Sequence, residues 1–136
     1  MSQENVEIVR RGYEMYASGD LEGLVTLIAP DAELADAGGL GITGTASGTR
    51  FGPSGFLRSS DEAHEAFENY TVTPEDFTAL RNFVLVRARL RGKGRASGVP
   101  LDAVVFQLWE LRDGKVVRSQ IFMTESQALE AVGLSE

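Results

Sequence analysis

The chain has 136 residues, 43% of them hydrophobic and 24% charged, with no cysteine, one histidine and a formal net charge of −7 at pH 7. That length suits a single domain, 1–136, built on one core, and the absence of cysteine excludes disulfides, thiolate nucleophiles and cysteine-ligated zinc or iron–sulfur sites. A lone His64 rules out a two-histidine metal site within one chain, and the acidic balance repels phosphate backbones and anionic lipid, so neither nucleic acid nor a membrane surface is expected as a partner.

No stretch approaches the roughly 20 apolar residues needed to cross a bilayer. The opening MSQENVEIVRR lacks both the basic leader and the apolar segment of a secretory signal, which makes a cytoplasmic location the expectation. A first helix opens at Ser2, with Val6, Val9, Tyr13 and Tyr16 at helical spacing. Ser18-Gly19 breaks it, Asp20 caps a second helix, and Leu21, Leu24, Val25 and Ile28 carry that helix on until Pro30. A strand over 32–36 follows, in which Ala32, Leu34 and Asp36 share one face, so a carboxylate sits on the side that its neighbours mark as buried. The glycine-rich stretch 37–52 reads as a long mobile loop.

A third helix is expected over 53–69, opening at Pro53. Strands then follow at 71–80, 83–91, 101–112 and 115–123. Pro74 demotes the first of them to an edge or bulged strand, and Asp113-Gly114 makes a two-residue hairpin turn. Thr124 and Gln127 form a capping-box spacing for a short terminal helix that stops at Gly133. The expected architecture is α+β, three N-terminal helices packed on a curved, mostly antiparallel sheet, closed by a short C-terminal helix. Both faces of strand 101–112 are largely apolar. One would cover helices and a pocket, and a homodimer formed through the sheet would cover the other. The alternating Arg87, Arg89, Arg91, Lys93 and Arg95 read as a solvated or interface-facing strand side.

Asp36, at a strand end beside the glycine-rich stretch, is either a general base for a carbon-bound proton or a cap for loop amides. Gln107 lies between Val105 and Trp109 on a mostly apolar face, and either donates to a developing oxyanion or satisfies a neighbouring group. Trp109 either stacks on a flat ligand or belongs to the core. Tyr13 and Tyr16 carry hydroxyls on the apolar side of the first helix. Ser119, Ile121 and Met123 alternate along the last strand as a pocket floor. His64, flanked by Glu62 and Glu65, is either a solvent-facing side chain or an acid or base at the pocket.

The segments YASGDLEGLVTLIAPDAEL and GKGRASGVPLDAVVFQLWELRDGKVVRSQIF, with this order of elements, resemble the NTF2-like superfamily, and its SnoaL-like branch most. The resemblance implies a cone-shaped fold shared by ketosteroid isomerases, polyketide cyclases, epoxide hydrolases, dehydratases and non-catalytic modules. Aligned on Gly19-Asp20-Leu21, the isomerases' general base falls on Asp36 and their donor tyrosine on Gly12; with the strands aligned on Trp109 and the following turn, their donor aspartate falls on Gln107. The dehydratases' paired histidines have no counterpart. Of the epoxide hydrolases' Arg and two Asp, Asp102 and Arg118 are possible pieces, but Asp102 has the opposite parity to Gln107.

The expectation is therefore a cofactor-independent isomerase or cyclase of a small apolar or cyclic carbonyl-bearing metabolite. Asp36, Gln107 and Tyr16 are its catalytic groups, and Tyr13, Trp109, Val105, Ser119, Ile121, Met123 and His64 bind the ligand. The alternative is a ligand-binding or dimerisation module of the same fold. A cavity of roughly 300 Å³ or more holding the Asp36 carboxylate separates the two.

Overall fold

The computed structural model describes residues 2–35 and 49–133. Helix α1 (Ser2–Ser18) is followed by the short α2 (Leu21–Val25), whose N-cap Asp20 accepts a hydrogen bond from the Gly23 amide at 2.9 Å. Strand β1 (Ile28–Ala35) comes next. Thr49–Phe51 forms β2, and Gly52–Ala66 forms α3. Four consecutive strands, β3 (Phe67–Leu80), β4 (Phe83–Gly94), β5 (Pro100–Arg112) and β6 (Lys115–Phe122), lead to α4 (Glu125–Ala131). One six-stranded sheet results, in the order β2-β1-β6-β5-β4-β3. All its pairings are antiparallel except β1 with β6.

The order corrects the expected three N-terminal helices. Two helices precede the sheet, and α3 enters only after β1 and β2. Helix α2 ends early because tertiary pairing overrides its apolar periodicity. Ile28 pairs with Val116, the Val116 amide donates to the Leu27 carbonyl at 2.8 Å, and the chain is already a strand there. Pro30, with no N–H to give, lies in the register irregularity between Ile28 and Glu33. Helix α3 stops at Ala66, short of the expected 69, because Phe67 and Glu68 pair with Gly94 and Lys93, and Asn69 takes a positive φ at the adjoining bulge. Within the stretch read as a loop, Thr49–Phe51 pairs with β1, while residues 36–48 lie outside the described residues.

Other expectations hold. Pro74 sits in the sheet's edge strand next to a register shift, and Asp113-Gly114 has both φ values positive, as a type I′ hairpin turn requires. Thr124 caps α4 by accepting from the Gln127 amide at 3.2 Å.

The inner face of the sheet packs Val84, Val86, Ala88, Leu90 and Val105 against Val6, Val9 and Tyr13 of α1. Helix α3 covers β1, where Phe56 meets Ile28, Ala32 and Leu34. On the outer face, α4 lays Ala128, Leu129 and Val132 over Leu85, Leu108, Phe106 and Phe122. Beside that patch the arginine ladder is paired rather than bare. Arg87 and Arg89 both reach Glu75, at 3.1 and 2.9 Å, and Arg89 also reaches Asp102 at 2.8 Å. The Arg89 hydrogen bonds hold both carboxyls below their ordinary range. These groups lie exposed or half-buried at the protein surface, so the network adds little to stability.

Candidate functional site

Two adjoining cavities open between α1, α3 and the inner face of the sheet. The larger, about 180 Å³, is bounded by α1 and α2 side chains such as Val9 and Leu24, by Phe56, Ser59, Ser60 and Ala63 of α3, and by the sheet. The smaller, about 120 Å³, is lined by Leu34 and Ala35 at the end of β1 and by Ser119 and Gln120 of β6. Phe56, Ser59, Gln107, Trp109 and Ile121 line both, so the two are lobes divided by a few side chains. Neither lobe alone reaches roughly 300 Å³. No described residue lining either lobe carries a charge.

Strand alternation turns Gln107 and Trp109 inward. Their cross-strand neighbours on β6 are Ile121 and Ser119. Trp109 Nε1 donates to the Tyr13 hydroxyl at 3.0 Å, and the Tyr13 hydroxyl donates to Gln107 Oε1. The Trp109 end of this chain has one possible direction. An indole N–H can only donate, so Tyr13 accepts there and has its own proton to give. In the structure that proton goes to the Gln107 carbonyl oxygen. The Gln107 NH₂ is left over, bonded to no described residue, on a side chain that lines both lobes. Tyr13 is further fixed by edge-on contacts with Phe77 and Trp109, both at 6.0 Å between ring centroids.

A second polar group lies between α1 and α3. The Tyr16 hydroxyl is 3.0 Å from Ser60 Oγ, and both residues line the larger lobe. Gly12 lines it too, where a Cβ would meet Leu24 and Leu27 at ordinary contact distance, 3.4 and 3.7 Å.

Of the expected site residues, Tyr13, Tyr16, Gln107, Trp109 and Ile121 line the larger lobe and Ser119 the smaller. Three are placed elsewhere. Val105 is fully buried within the core cluster that α1 forms with the inner face of the sheet, and it lines neither lobe. Met123 lies past the end of β6 and is 42% exposed. His64 is exposed and outside both linings, because its ring folds back along α3, with Nδ1 2.8 Å from the Ser60 carbonyl, and packs between Tyr16 and Tyr70. Asp36 lies outside the described residues, immediately after Ala35. Ser59, Ser60 and Tyr70 were not foreseen. Ser60 was legible in principle, as a hydroxyl within the apolar stripe Phe56–Ser60–Ala63 of α3.

Burial raises the pKa of all three phenols, with Trp109 partly offsetting this at Tyr13 and Ser60 at Tyr16. In the pocket they are therefore donors and not bases. The sign for stability follows from where protons are held. Below the ordinary phenol value near 10 both states are protonated and nothing is lost. As pH rises above it, the unfolded chain releases protons that the folded chain keeps, and stability falls. Spectrophotometric alkaline titration is expected to show tyrosinate appearing together with loss of the circular dichroism signal. Phenolate appearing while the fold persists would contradict this burial.

Solved structures share the fold. An NTF2-like protein of unknown function from Burkholderia pseudomallei superposes with a TM-score of 0.77 at 19% identity, over 93% of this chain and 95% of that one. TerC, co-crystallized with polyporic acid, gives 0.75 at 22%, covering 96% and 98%. IdmH of Streptomyces antibioticus, assigned provisionally as a polyketide cyclase, gives 0.72 at 26%, covering 95% and 98%. No curated protein matches the chain. No described helix is long and apolar enough to cross a membrane. The SnoaL-like domain model matches residues 9–119, and the chain belongs to that family, within the NTF2-like fold.

Proposed function

We propose that this protein binds a neutral, largely apolar carbonyl-bearing metabolite and isomerises or cyclises it by way of an enolate. Asp36 would take the proton from the carbon next to the carbonyl, leaving the C–H electron pair in the enolate. Gln107 would donate a hydrogen bond to the enolate oxygen; for isomerisation Asp36 would return the proton to a different carbon of the conjugated enolate, and for cyclisation the enolate carbon would attack a second carbonyl of the same molecule, with Asp36 giving its proton to the alkoxide oxygen that forms. Tyr16 serves as a further polar partner of the bound molecule.

The observation that carries this reading is the fixed hydrogen-bond order Trp109 to Tyr13 to Gln107. It presents a preset amide donor among described lining residues that are largely apolar and carry no charge, where such a donor is worth most. Leu34 and Ala35, the described residues just before Asp36 in sequence, line the smaller lobe that Gln107 shares. The likeness to IdmH agrees with cyclase-type chemistry. A second reading, a module that holds its ligand unchanged, is favoured by the modest size of each lobe.

Deuterium loss from 2-tetralone labelled next to its carbonyl, followed by NMR in ordinary water, distinguishes the two. The wild-type protein is expected to accelerate the loss over buffer, and Gln107→Leu to slow the catalysed rate by about 10² to 10³, the usual cost of removing one oxyanion donor. Binding without acceleration would leave only the module.

A further inference from the structure

We infer that the Tyr16–Ser60 hydroxyl pair forms a second polar subsite, which receives a neutral hydroxyl or carbonyl group of a two-ring ligand away from the carbonyl held at Gln107; the inference rests on the role given to Gln107 above. Ser60 is the one buried polar residue in the described core, at 8% exposure. It interrupts an apolar stripe of α3 where alanine would pack without needing a partner, and burying a hydroxyl is costly unless it is hydrogen-bonded. Its partner is the Tyr16 hydroxyl at 3.0 Å.

Two hydroxyls together hold two protons and four lone pairs. The bond between them uses one proton and one lone pair, and no described side chain takes the rest. One proton and several lone pairs are therefore left on two residues that line the larger lobe. Because either oxygen can be the donor, the pair can turn to give a proton to a carbonyl or to accept one from a hydroxyl.

The pair is held in place from behind. The Tyr16 ring meets Phe56 edge-on at 6.0 Å and His64 at 6.0 Å, and the His64 ring is bonded to the Ser60 carbonyl. Tyr13, which fixes Gln107, leaves α1 three residues earlier, a rise of about 4.5 Å along the helix. The hydroxyl pair, on α1 and α3, and the Gln107 amide, on β5, therefore stand at separate points of the same lining. With no charge among the described lining residues, the group received is neutral.

Calorimetric titration of the full chain with 2-acetylnaphthalene and with 6-acetyl-2-naphthol, which differ by one distal hydroxyl, tests the inference. In the wild-type protein the hydroxyl is expected to tighten binding about threefold to tenfold, the range of one net hydrogen bond. Tyr16→Phe and Ser60→Ala should each erase that difference between the probes. A difference that survives in both variants would overturn the subsite, as would an equal weakening of the two probes, which would make the pair a packing element. Gln107→Leu separates the underlying reading. Weakening of both probes supports Gln107 as the carbonyl partner. If Gln107→Leu changes nothing while Tyr16→Phe erases the hydroxyl preference, the subsite stands and the role of Gln107 falls. If neither probe binds the wild-type protein, both readings fall.

Discussion

Asp36→Asn is expected to lower the rate of deuterium loss from labelled 2-tetralone by about 10² to 10⁴, the usual worth of a positioned base. Asparagine keeps the size and polarity of aspartate and removes only the capacity to hold a proton, so the result reports on that capacity. The wild-type rate should fall on the acid side as the carboxylate becomes protonated, and this limb should be missing from the variant's pH profile. The donor amide of Gln107 would remain, bonded as before through Tyr13 and Trp109. Whatever acceleration survives in the variant therefore measures the donor without the base. An unchanged rate, or an acid limb that persists, would remove Asp36 from the chemistry and leave the amide and the cavities to be explained by binding alone.

The largest expected effect on stability is at Gly52. Its φ is +70°, and a Cβ built there would lie 2.4 Å from the Pro30 carbonyl oxygen. Gly52→Ala therefore combines the left-handed backbone cost with a backbone clash that no side-chain rotation relieves, about 3 kcal/mol together. For a chain of this size that loss corresponds to a fall of roughly 10 °C in the thermal midpoint. Gly19→Ala is the contrast. Its φ is +83°, but nothing lies within 4 Å of the added carbon. Only the backbone term applies, about 1 kcal/mol. Equal melting shifts in the two variants would show that α3 can move away from Pro30. Because α3 supplies Phe56, Ser59, Ser60 and Ala63 to the larger lobe, Gly52→Ala should also weaken binding of 2-acetylnaphthalene.

Features with a local cause were legible in the sequence. Asp20 and Thr124 cap their helices by accepting from amides three residues on, Asp113-Gly114 makes a turn within four residues, and Pro74 marks its strand by lacking an amide hydrogen. Features decided by distant partners were not. The change from helix to strand at Ile28 depends on Val116, and β2 exists only through its pairing with Glu33–Ala35. The same division runs through the site. Strand parity alone put Gln107 and Trp109 on one inward face, but the orientation of the Gln107 amide depends on Tyr13, 94 residues earlier in the chain. Parity also suggested Val105 as a lining residue, since alternation fixes the face without telling where along the strand the helices leave a gap. His64 was one turn from the position that matters, because the hydroxyl of Ser60 faces the hollow while the imidazole folds outward along the helix.

Strand β3 also bears on how the molecule behaves in a crowd of its own kind. Fourteen residues long at the rim of the sheet, it offers unpaired amides and carbonyls on which another chain could begin a fibril. Pro74 removes one of those amides, the irregularities at Asn69 and between Pro74 and Asp76 break the straight run, and exposed Glu75 and Asp76 charge the margin. Concentrated solutions should thus resist amyloid-type growth, and exchanging Pro74 for a β-branched residue would weaken that resistance.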